Sequence, residues 1–129
     1  MNLIFGIGTD IVETNRIKIL FNKNKKFKTR IFSTKEINYC ESKLDKTASY
    51  SKRFAAKEAF AKALGVGISK GISFNEISVD NNKNGAPFIE LLGKTKTIFK
   101  NLIKKKNKIY LSLSDEKKYA IATVIISYS

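Results

Sequence analysis

The chain of 129 residues has no histidine and no tryptophan, a single cysteine and a single proline, and 11 acidic residues against 25 basic ones. Each shortage removes a class of chemistry. Without histidine there is no imidazole to serve as base beside a serine or cysteine nucleophile, and none of the usual zinc sites can be assembled. The lone Cys40 cannot close an internal disulfide, which agrees with a reducing compartment, and it fits a small buried side chain. No apolar run approaches the roughly 20 residues that a membrane helix needs. The N-terminus enters a strand-like pattern instead of a signal-peptide layout, so a cytoplasmic location without a membrane partner is expected.

Positive charge is what the chain has in excess. A formal charge of +14 implies an anionic partner, whether nucleic acid, a phosphorylated small molecule or an acidic protein. Isoleucine and asparagine are also heavily used, so part of the lysine excess is compositional bias. Arginine occurs only at Arg16, Arg30 and Arg53. These are the more informative cations, since a guanidinium can grip phosphate or carboxylate with two parallel bonds. With 43% hydrophobic and 28% charged residues, the composition is globular, and the length fits a single domain, 1–129.

The organising stretch is Arg53 to Gly67, rich in alanine, with two lysines and one glutamate, and ended by Gly65 and Gly67. It reads as a helix, with Ser49 or Ser51 expected to cap its start. Apolar residues run most of the way round it, so each charge left on it needs a reason. Glu58 has two readings: a favourable pair with Lys62 one turn on, or a ligand for a cation while Arg53, Lys57 and Lys62 face the phosphates that accompany it.

Before it, Leu3 to Val12 alternates as a strand, with Phe5, Ile7, Thr9 and Ile11 on one face and Gly6, Gly8 and Asp10 on the other. Glycines inside a strand mark either a bulge or the close approach of another backbone or a ligand. Thr14 reads as the cap of a helix over Asn15 to Phe21. A basic patch follows at Lys23, Lys25, Lys26, Lys28 and Arg30. Ser33 to Glu36 forms a capping box that starts a helix through about Lys43. Leu44 to Tyr50 reads as a polar connection and Ser69 to Ser73 as a loop. Phe74 to Val79 and Phe88 to Leu92 form a hairpin across Asp80 to Gly85, with Pro87 at the start of its second strand. Lys94 to Lys106 is an amphipathic helix. Tyr110 to Ser114 and Tyr119 to Tyr128 form the last hairpin, whose second strand is apolar on both faces, as a central or subunit-contact strand is. The expected class is α+β: one small domain with an antiparallel sheet packed against a long central helix and shorter helices.

Four stretches, taken in order, are similar to the holo-acyl-carrier-protein synthase type of phosphopantetheinyl transferase: Gly6 to Glu13, the helix Arg53 to Gly67, Asn84 to Pro87, and Ser112 to Ser114 followed by Tyr119 to Ala122. Each alone is weak, but four in the right order within one small domain are specific. The resemblance implies the phosphopantetheinyl transferase fold and a Mg²⁺-dependent reaction of fatty acid biosynthesis. In it, the 4'-phosphopantetheine arm of coenzyme A passes to a serine of apo acyl carrier protein, releasing adenosine 3',5'-bisphosphate. It implies that Asp10 and Glu58 hold Mg²⁺ against the pyrophosphate, that Lys62, with Arg53 or Lys57, stabilises the added negative charge, and that Glu58 or a metal-held water takes the serine proton. Arg53, Phe54, Lys57, Lys62, Gly65, Asn84, Gly85, Pro87, Ser112 and Ser114 are the implied coenzyme-binding residues. The patch of Arg16, Lys23, Lys25, Lys26, Lys28 and Arg30 is the natural surface for an acidic carrier protein. A homotrimer with sites between subunits is implied too. One departure stands out: Asp115 occupies a place where the family commonly has histidine, and beside a phosphate an aspartate repels, so either it points away or Lys117 or Lys118 takes over the contact.

Two rival readings differ in class. A small basic nucleic-acid-binding module would use the lysines on phosphates and Phe27, Phe32 and Tyr39 for stacking, but leaves Asp10 and Glu58 without a purpose. A non-catalytic trimeric scaffold is the other, to which Asp115 lends slight support.

Overall fold

The computed structural model describes residues 1–65 and 71–129; the expected second helix stop at Gly67 and the start of the loop at Ser69 lie outside them. In chain order the elements are β1 (Leu3–Glu13), α1 (Thr14–Lys23), α2 (Phe27–Ile31), α3 (Thr34–Glu41), α4 (Lys46–Leu64), β2 (Ile77–Asn81), β3 (Pro87–Leu91), α5 (Gly93–Leu102), β4 (Asn107–Asp115) and β5 (Tyr119–Tyr128). A 3₁₀ turn, Phe74–Glu76, leads into β2, so the first part of that expected strand is helical instead. One antiparallel sheet has the order β1-β5-β4, and β2 and β3 pair as a separate hairpin. The doubly apolar β5 is thus the central strand, with Ala120, Ala122, Val124 and Ile126 fully buried. No helix among the described residues is long and apolar enough to cross a membrane.

Helix α4 is buried almost all round and lies across β1 and β5. Gly6 and Gly8 make this possible. A Cβ at Gly6 would stand 1.8 Å from the Ala63 carbonyl oxygen, and one at Gly8 would stand 2.0 Å from that of Ala59. Two strand residues rise about 6.6 Å and four helical residues about 6 Å, so a glycine pair two apart on β1 matches an alanine pair four apart on α4. What approaches the bare face is therefore helix backbone, not a ligand. The opposite sheet face is left open: Ile7 is 64% and Ile11 59% exposed.

Several expected ends move. α4 begins at Lys46, capped by Asp45, whose Oδ1 accepts from the Ala48 N–H at 3.0 Å. Ser49 and Ser51 are buried inside the helix and cap nothing, and most of the expected connection is helical. Thr14 does not cap α1; its hydroxyl donates to the Lys117 carbonyl. The capping box at Ser33 and Glu36 forms as expected. α5 ends at Leu102, and Gly65 closes α4 in the left-handed conformation at φ 81°.

Candidate active site

Past Gly8, the next inward position on β1 is Asp10, and the next charged residues beside Ala59 on α4 are Glu58 and Lys62. The fit of glycine to alanine therefore brings the two acids and one lysine to the same edge of the strand–helix contact. Lys62 Nζ donates to Asp10 Oδ1 at 3.2 Å and to the Thr9 carbonyl at 3.0 Å. The pair is open to solvent, with the Lys62 side chain 56% and that of Asp10 17% exposed. Glu58 is half-buried; burial and, after it, the Asp10 carboxylate push its pKa above the usual glutamate value, while Lys62 and Arg16 pull it down. Two hard carboxylates at one edge, with a cation beside them, suit a small divalent ion such as Mg²⁺ better than a soft metal. Among the described residues no group of three or more histidine, cysteine or acidic side chains is placed to hold a metal, so any ion here would need ligands from substrate or water.

Three of the implied coenzyme-binding residues, two of them cations expected at phosphates, face into the molecule. Lys57 is fully buried: its ammonium donates to Glu36 Oε1 at 2.6 Å and to the Phe74 and Ile77 carbonyls. Burial pushes its pKa down to about 8, against the pull of Glu36. Arg53 is 2% exposed and donates to Asn81 and Ser49. Phe54 packs among Phe27 and Phe74 in the core. All three face into the molecule because α4 is enclosed on that side by α3 and the β2–β3 hairpin.

Asn84 and Gly85 lie exposed at the tip of that hairpin, and Pro87 begins β3. Among the described residues nothing stands within 4 Å of where a Cβ on Gly65 would lie. Ser112 and Ser114 are not brought to Asp10 and Glu58. They register with Thr123 and Ile121, outward positions of β5, whereas Asp10 registers with the inward Ala122. The two serines thus stand on the open face of the sheet, across it from the acids. Asp115 pairs with Lys52 of α4 at 3.5 Å.

Of the basic patch, Arg16, Lys23, Lys25, Lys26 and Arg30 are exposed, while Lys28 is partly buried and pairs with Glu41 at 3.1 Å. A groove of about 580 Å³ runs beside it, lined by Lys18, Lys25, Lys28, Lys46, Glu41 and Tyr50 among others. The aromatics that nucleic-acid stacking would need are occupied. Phe32 is buried, Phe27 packs on Phe21 and Phe54, and Tyr39 lies under the Arg53 guanidinium at 4.1 Å.

The family described as the 4'-phosphopantetheinyl transferase superfamily matches residues 6–124. A holo-[acyl-carrier-protein] synthase of Pelagibacter ubique is 46% identical over 124 residues, which cover 95% of this chain and 96% of the relative. The crystal structure of a holo-ACP-synthase from Plasmodium yoelii superposes with a TM-score of 0.85 at 35% identity, covering 100% of this chain and 98% of that one. The Helicobacter pylori holo-[acyl-carrier-protein] synthase, solved in complex with coenzyme A, gives a TM-score of 0.77 at 36% identity, covering 93% and 98%.

Proposed function

Because the chain belongs to the 4'-phosphopantetheinyl transferase superfamily, as an enzyme of the holo-[acyl-carrier-protein] synthase type, we propose that its donor is coenzyme A and that Mg²⁺ sits between Asp10 and Glu58. The 4'-phosphopantetheine arm passes to a serine hydroxyl of apo acyl carrier protein and adenosine 3',5'-bisphosphate leaves, a step serving fatty acid biosynthesis in the cytoplasm. Residues 1–129 act as one transferase domain. The observation that carries this reading is the meeting of Asp10, Glu58 and Lys62, from two elements far apart in the chain, at one solvent-open edge.

In a phosphoryl-type transfer, positioning and charge neutralisation supply most of the catalysis. When bound, Mg²⁺ would neutralise the pyrophosphate and lower the barrier to departure of the bisphosphate. Asp10 is a ligand only. Glu58, whose raised pKa suits proton uptake, is the group to accept the serine proton. Lys62 reaches from its contact with Asp10 to the phosphate and stabilises the charge that develops there. Asn84, Gly85 and Pro87 at the hairpin, and Gly65 at the helix end, line the approach of the nucleotide. Arg16 and the exposed lysines Lys23, Lys25 and Lys26, with Lys28 and Arg30, dock the acidic carrier protein.

Ser112 and Ser114 can join this site only from a second copy, since they occupy the far side of their own sheet. Ile7, Ile11, Ile121 and Tyr110, exposed on that open face, support a homotrimer with shared sites. The decisive experiment is intact-mass analysis of an apo acyl carrier protein incubated with this protein, coenzyme A and Mg²⁺. A phosphopantetheine-sized gain is expected, abolished by chelator and by Glu58→Gln. A folded Glu58→Gln variant with full activity would remove Glu58 from the site.

A further inference from the structure

Arg53 is a buried cation without an ion-pair partner among the described residues. Its Nη2 donates to Asn81 Oδ1 at 2.8 Å, its Nη1 to the Ser49 carbonyl at 3.4 Å, and its buried Nε has no partner there. A guanidinium can only donate. The Asn81 amide must therefore turn its oxygen toward Arg53, which leaves its nitrogen facing the hairpin tip, where Nδ2 donates to the Gly85 carbonyl at 3.0 Å. The next residue holds the other side of the tip: Asn82 Oδ1 accepts from the Asn84 and Ala86 N–H groups at 2.9 and 3.0 Å. Gly85 sits between them in the left-handed region at φ 84°, open to solvent.

We propose that Arg53 and Asn81 are positioning residues for coenzyme binding: the guanidinium orients the Asn81 amide, the amide holds the Gly85 carbonyl, and the tip at 82–86 is kept in the shape that receives the coenzyme. This rests on the reading above that Asn84, Gly85 and Pro87 face coenzyme A. Apparent affinity falls with the fraction of molecules in the competent shape, so a tip left to fluctuate weakens binding without altering the chemistry. The relay also gives the buried cation a function in place of direct phosphate contact.

Asn81→Asp separates the two links. The carboxylate keeps the size and still accepts from Arg53, but cannot donate to Gly85. The KM for coenzyme A is expected to rise about tenfold, with kcat and the KM for apo carrier protein within about twofold of wild type. The melting temperature stays unlowered, and amide exchange at Gly85 and Ala86 speeds up. Arg53→Gln is expected to shift the KM for coenzyme A in the same direction, because the Asn81 amide is then free to turn over. An unchanged KM for coenzyme A in folded Asn81→Asp, or an equal rise for both substrates, overturns the relay. If wild type transfers no arm from coenzyme A, the functional reading falls and the relay with it; if it does and Asn81→Asp matches it, only the relay falls.

Discussion

Lys57 and Glu58 are adjacent in the chain and meet opposite surroundings. Glu58 looks out at the strand edge, while Lys57 points into a pocket where every ammonium proton finds an acceptor and Glu36, through its second oxygen, also accepts from the Val79 N–H at 3.0 Å. The pair binds α3, α4 and the entry to β2 into one unit. Removing one partner leaves an uncompensated charge in the core, so Lys57→Met is expected to destabilise by about 3–5 kcal/mol, measured by urea unfolding. Glu36→Gln should act similarly, and the double variant should lose clearly less than the two single losses added together. Strict additivity in that cycle would mean the two charges do not stabilise one another. Neither partner was legible as such in the sequence. Glu36 could be assigned from the capping box alone, whereas the fate of Lys57 depends on a carboxylate 21 residues away, a contact that no local pattern encodes.

At the level of elements, the contact between β1 and α4 sets the spacing of the acids. A methyl at Gly8 would collide with backbone atoms of Ala59 and Ala63, neither of which can rotate aside. Gly8→Ala is therefore expected to lower stability by roughly 1–3 kcal/mol, as overpacking does, and to reduce kcat/KM more than its stability loss explains, because the helix carrying Glu58 must lift away from Asp10. Chemical denaturation and steady-state kinetics on the same preparation check this; a folded variant with wild-type kinetics would dissociate the contact from the site. Most elements could be read from period and punctuation, and Gly6, Gly8, Asp10 and Glu58 stood out as residues lacking a local reason. The start of α4 could not be placed, because a serine looks the same whether it caps a helix or, like Ser51, bonds back to a carbonyl one turn earlier inside it. A cation on a helix reads alike whichever neighbour encloses it, so the sequence points Arg53 and Lys57 at phosphates while the fold encloses both.

For the whole molecule, the open face of the sheet matters most. Ile7, Ile125 and Tyr110 register in one row across the three strands, and Ile11, Ile121 and Ser114 in another. The polar row of Thr9, Thr123 and Ser112 runs between them, and large apolar side chains left exposed together on one sheet face, here Ile7, Ile11, Ile121 and Tyr110, mark an interaction surface. Sedimentation is expected to give a mass about three times that of the chain, as the homotrimer proposal requires, and Ile7→Asp with Ile11→Asp should yield a folded monomer without transferase activity. A wild-type monomer with full activity would refute the shared-site arrangement.

One rod carries nearly everything. Lys52 ties down the β4–β5 turn, Arg53 the β2–β3 hairpin, Lys57 the third helix, and Glu58 and Lys62 stand at the strand edge. A single inserted or deleted residue within this span would rotate everything beyond it by about 100°, breaking the downstream attachments from their partners at a stroke. Descendants of this gene can exchange residues along α4, but a change in its length would cost them these attachments.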